Sequence, residues 1–162
     1  MGSERVEKTV TQSFLDRLRN VPRSDRPRNM SESVQQLKDA VRRDIEWLFN
    51  TRRIAEPAHE AMEKTTESLY HYGLPDISSL SAHPGNPRKR LKYEMEKALE
   101  LYEPRLEDPR VEFVEVEHDK HRAWHFVIEG SLLMDPNPER VVFDTVLEVA
   151  NQEFRVVGRD DA

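Results

Sequence analysis

Apolar positions along this chain fall into two helical stretches followed by a run of strands. Val34, Leu37, Val41, Ile45 and Leu48 are spaced 3-4-4-3, which puts them on one stripe of a helix over about Ser33–Thr51. Arg42, Arg43 and Glu46 fall off that stripe. Ser33 with Gln36 forms a candidate capping box, and the weak helix formers Asn50 and Thr51 close the segment. A second helix starts at Asn86-Pro87, a capping side chain followed by a proline where the missing N–H costs nothing. Leu91, Met95, Ala98 and Tyr102 form its apolar face, with Leu99 and Leu101 at the flanks. Pro104 ends it, because the residue before a proline is driven out of the helical region. Between the helices, His59–Tyr72 reads as a polar loop and a short helix closed by Gly73, and Leu74–Gly85 as irregular.

After Pro104 the period changes to two. Val111–Val116, Trp124–Gly130 and Val141–Ala150 read as strands, and Phe154–Val157 as a short last one. Trp124, Phe126 and Ile128 share one face, as do Val141, Phe143, Thr145, Leu147 and Val149. His118–Arg122 reads as a hairpin turn and Met134–Glu139 as a second loop. The predicted fold is α+β: two main helices packed on a small, mostly antiparallel sheet, with an N-terminal extension. The predicted division is an extension over 1–31, a domain over 32–158 and a tail over 159–162. Within the extension, Thr11, Phe14, Leu15 and Leu18 recur at helical spacing, and Pro22–Arg28 is a linker by composition. Phe14, Leu15 and Leu18 form a candidate docking peptide that folds on a partner, the plainer alternative being a disordered tail.

Composition narrows the function. With 36% hydrophobic and 35% charged residues, the core is modest and the surface heavily solvated. The absence of cysteine rules out disulfides and thiolate metal sites and suits a reducing cytosol. No run approaches the roughly 20 apolar residues that span a bilayer, so no membrane insertion is expected. A net charge of −6 disfavours nonspecific nucleic-acid binding. Arg88, Lys89, Arg90 and Lys92 sit in first helical turns, where positive charge opposes the helix dipole, and read as a solvated face. His118, His121 and His125 have metal-like spacing, but two fall in a turn and no cysteine supports them. Glu103 is the one acid to nominate for hydrolysis, and Arg105 beside it shifts a carboxyl the wrong way for a general acid. No catalytic residue, cofactor or metal is expected.

Glu103-Pro104-Arg105 carries the most specific chemistry. The proline fixes where both charges point, and arginine presents a planar fork suited to bidentate recognition. Two uses are open: an ion pair fastening the helix end to the sheet within the chain, or a contact for another protein.

Three stretches in order, Trp47-Leu48-Phe49-Asn50-Thr51-Arg52-Arg53, Tyr72-Gly73-Leu74-Pro75-Asp76 and Glu103-Pro104-Arg105, resemble the TssE family of type VI secretion baseplate subunits. They also resemble the related wedge proteins of contractile-phage baseplates. The likeness spans about Glu32–Asp135, with a looser echo at Phe14-Leu15-Asp16-Arg17-Leu18. It implies a cytoplasmic structural protein of a baseplate assembled near the inner membrane. Glu103, Pro104 and Arg105 are implied to dock on the helical bundle of the wedge subunits TssF and TssG, with TssK an indirect partner. It further implies that sheath subunits join by strand addition, for which the terminal region Val141–Val157 is the candidate edge. The alternatives are a lysozyme-like glycosidase that cleaves peptidoglycan and an adaptor of another pathway.

Overall fold

The computed structural model describes residues 18, 29–55, 63–66, 68–78, 85–116, 122–135 and 137–159. Two long helices, α1 (Met30–Asn50) and α2 (Pro87–Tyr102), precede four strands: β1 (Leu106–Val114), β2 (Ala123–Leu132), β3 (Glu139–Glu148) and β4 (Glu153–Gly158). The strands pair antiparallel in the order β1-β2-β3-β4, so the α+β architecture is as predicted.

α1 starts earlier than its apolar stripe suggests. The cap is Asn29, whose Oδ1 accepts from the Glu32 N–H at 2.8 Å, so the predicted Ser33–Gln36 box is not the cap. Ser33 is buried inside the first turn, its hydroxyl donating to the Met30 carbonyl. Leu37, Val41, Ile45 and Leu48 enter the core with Ala40 and Phe49, while Val34 is only half-buried. α2 begins as predicted, with Asn86 Oδ1 accepting from the Arg88 N–H at 2.9 Å and Pro87 in the first turn. Leu91, Met95, Ala98 and Leu99 are buried; Leu101 faces solvent.

One sheet face receives both helices. The rows Val111–Ile128–Phe143 and Phe113–Phe126–Thr145–Val156 run across it, and α1 lies against β4 while α2 lies against β1. β3 is interior, flanked by β2 and β4, which removes most of Val141–Val157 as a candidate open edge. Within that region the edge strand is β4, and α1 occupies it. Asn50 accepts from the Phe154 N–H and donates to the Phe154 carbonyl, both at 2.8 Å. Glu46 accepts from the Val156 N–H at 2.8 Å, and Arg42 donates to the Val156 carbonyl at 3.0 Å. Residues four apart on a helix rise about 6 Å, and residues two apart on a strand about 6.7 Å, so this polar stripe keeps step with β4. Three side chains thus stand in for a fifth strand.

Gly73 does not close a regular helix. A single helical turn (Glu63–Thr66) and a 3-10 turn (Leu69–His71) precede it, and Tyr72 is the cap residue. The Gly73 φ is +107°, and a Cβ there would lie 2.2 Å from the Thr51 carbonyl oxygen. The glycine lets the loop press on the end of α1, where Leu74 and Arg52 form a parallel bridge and Leu74 and Ile77 enter the core.

Asn50→Ala removes both bonds to Phe154 and should lower stability by about 1–3 kcal/mol. The Phe154 amide should exchange with solvent measurably faster in that variant, and the Val156 amide in Glu46→Ala. Unchanged exchange at both amides would show that α1 does not hold the edge.

Candidate functional site

Pro104 and Glu103 set the local geometry. Glu103 closes α2, its N–H donating to the Leu99 carbonyl at 2.9 Å, and its own carbonyl accepts from the Leu106 N–H at 3.0 Å. A tight turn with proline at its second position therefore converts helix into strand. The Arg105 carbonyl accepts from the Leu133 N–H at 2.8 Å, which anchors the turn to the end of β2.

Glu103 is buried, with 3% of its surface exposed. Arg105 meets it with a fork: Nε reaches one carboxylate oxygen and Nη2 the other, each at 2.5 Å. Nη2 also donates to Asp44 of α1 at 2.7 Å. The arginine side chain is 29% exposed, and its Nη1 has no partner among the described residues. Burial opposes the Arg105 charge, but hydrogen bonding and attraction from Glu103, then Asp44, outweigh it and hold the pKa above the usual arginine range. Of the two uses left open by the sequence, the ion pair within the chain is therefore present, and it ties α2 to α1 as well as to β2.

The corner continues across α1. Arg43 Nε lies 3.4 Å from Asp44, and its guanidinium stacks 5.4 Å from the Trp47 ring centroid. Trp47 is 52% exposed, a large aromatic surface beside a charged network. On the inner side, Tyr72 packs edge-on against Tyr102 at 5.2 Å. Burial, then the charges of Asp44 and Glu103, push the Tyr72 hydroxyl above the ordinary phenol range.

The other candidates lie elsewhere. Leu18 is exposed, while Phe14 and Leu15 fall outside the described residues, as do His118 and His121. His125 sits half-buried on the sheet face opposite Phe126. The basic run is largely engaged: Arg88 stacks on Phe113 and Trp124, and Lys92 reaches Glu112 at 3.0 Å. Sequence reasoning missed Asp44 as the third member of the corner. Its only signal was an acid off the apolar stripe, three residues from Trp47.

The corner is thus a buried ion network at a helix exit, with the exposed Trp47 ring on the neighbouring turn of α1. Residues 35–137 match the model of the family described as baseplate wedge protein gp25, well over half of the 162-residue chain. The chain belongs to that family, which is also the family of TssE of the type VI secretion baseplate. The match covers most of α1, all of α2 and β1–β2, and it stops before β3. No curated protein matches the chain. Among the described residues no helix is long and apolar enough to cross a membrane.

Arg105→Ala leaves Glu103 buried without its cation and should cost about 3 kcal/mol or more. The double variant with Glu103→Ala should lose less than the sum of the two single changes. Additive losses in denaturant unfolding would show that the pair is not coupled. A second expectation concerns pH. Folding favours the neutral Tyr72 phenol, so its contribution is complete below the ordinary phenol pKa of 10.0 and is lost as pH rises through the raised folded value. Tyr72→Phe should flatten the alkaline fall in melting temperature; an identical fall would exclude Tyr72 as its source.

Proposed function

We propose that this protein is a structural subunit of a type VI secretion baseplate, which docks on the TssF–TssG wedge core and starts assembly of the contractile sheath. The family match carries the reading. The corner supports the docking part of it: Glu103 and Asp44 hold the Arg105 guanidinium rigid, and Nη1, the exposed Pro104 and the Trp47 ring remain available on the outside. A preorganised arginine beside an exposed tryptophan is the composition of an interface hot spot. Phe14, Leu15 and Leu18 add a second, peptide-like contact in this reading, and TssK joins through the wedge.

Glu103 has both oxygens on one guanidinium, so it is poorly disposed to protonate a glycosidic oxygen. The work proposed is adhesion and templating in the cytoplasm, with no cofactor.

Trp47→Ala removes surface without touching the buried pair. It should leave melting nearly unchanged and weaken co-purification with TssF–TssG by about tenfold or more. Arg105→Ala, assayed where circular dichroism shows it folded, should weaken it too. Wild-type recovery of the wedge subunits by both folded variants would refute docking through this corner.

A further inference from the structure

Three sides of α2 are occupied by its own domain. Leu91, Met95, Ala98 and Leu99 face the core. On one flank Glu94 pairs with Arg53 at 3.0 Å. On the other, Glu96 accepts from the Val111 N–H at 2.9 Å, Lys92 reaches Glu112 at 3.0 Å and Arg88 lies over Phe113. The outward side is different. Lys89, Tyr93, Lys97 and Leu101 follow one another four residues apart, and all four are exposed. Tyr93 shows 61% of its surface and Leu101 42%. Arg90, also exposed, lies beside this row, and Glu100 is the one acid near it. Among the described residues, Lys89, Arg90, Tyr93 and Lys97 have no side-chain partner.

A helix face built only to be solvated sets acids four residues from its lysines. Here the positions four residues from Lys89 and Lys97 hold tyrosine or leucine. The result is a ridge of alternating cation and apolar side chains, with a large aromatic ring held in water between two charges. Tyrosine in such a setting is a characteristic anchor of protein interfaces.

We propose that this ridge docks an acidic amphipathic helix of a different polypeptide. The surface is separate from the Arg105 corner, since Lys89 lies about 21 Å along the helix axis from Glu103, and the inference does not depend on the family reading. Rows of side chains four apart are the ridges through which helices most often interlock. The partner lays an apolar row against Tyr93 and Leu101, and glutamate or aspartate reaches Lys89 and Lys97. Charge complementarity selects the sign, and the one-turn alternation selects a helix. A phosphate polymer would answer the cations and leave the apolar half of the ridge unused. A second copy of this chain, meeting through the same face, would bring lysine towards lysine.

Photo-crosslinking in cells that make the protein tests this, with p-benzoylphenylalanine in place of Tyr93. Illumination should give an adduct with another polypeptide, in a segment whose acids and apolar residues alternate at four-residue spacing. Lys89→Glu combined with Lys97→Glu should cut the yield by about tenfold or more. Both positions are exposed, so the variant should fold, which circular dichroism checks. Trp47→Ala should leave the yield unchanged. An adduct with a second copy, with another segment of this chain, with nucleic acid or with lipid overturns the proposal. So does the absence of any adduct, or a yield indifferent to the charge reversal. Loss of the adduct in Trp47→Ala would return the contact to the corner and overturn a separate surface.

Discussion

A carboxylate taken out of water must be met by a cation, and that requirement at Glu103 organises the junction of helix and sheet. Pro104 follows the end of α2, and the next residue, Arg105, turns back on the acid. The same guanidinium then reaches Asp44, and so brings α1 to the junction. The carbonyl of Arg105 is meanwhile held by the end of β2. Three elements are thus fixed relative to one another by a single residue, through its side chain and its carbonyl. Replacing such a network with apolar residues can be energetically neutral. What the charges add is a unique geometry, with one face of the arginine inside the domain and the other at its surface.

α1 does two jobs with two faces. Its apolar stripe fills the core, and an adjacent polar stripe at positions 42, 46 and 50 satisfies the backbone of β4. An open strand edge is a hazard because it recruits other strands without discrimination. At β4 helix side chains carry out the closure. α2 meets β1 in a similar way, with Glu96 accepting from the Val111 N–H, Lys92 reaching Glu112 and Arg88 lying over Phe113.

Much of this was readable in the chain. The 3-4-4-3 stripe located α1, Asn86-Pro87 and Pro104 bounded α2, and alternation located β2 and β3, because each of these signals is local. The errors share a cause. Ser33 looked like a cap because it precedes the stripe, yet Asn29 binds the free N–H and Ser33 goes inside. β1 starts at Leu106, five residues before its apolar alternation, since it is launched by the turn and not by its side chains. Asp44 carried no signal, Glu46 only fell off the apolar stripe and Asn50 read as the helix end, because their partners lie far along the chain and no local pattern announces them. The ion pair at residues 103 and 105 was legible as chemistry; that its acid would be buried was not.

The clasp between α1 and β4 joins residues 104 to 114 positions apart, the most distant hydrogen bonds in the domain among the described residues. Ribosomes add roughly 5–20 residues per second, so the polar stripe of α1 waits on the order of ten seconds for its partner to be made. Throughout that interval the helix has nothing to hold and the growing sheet has no lid. Newly made molecules therefore pass through a stage in which they resemble an unguarded template, and a cell making many copies at once has reason to shield nascent chains until their final strand emerges.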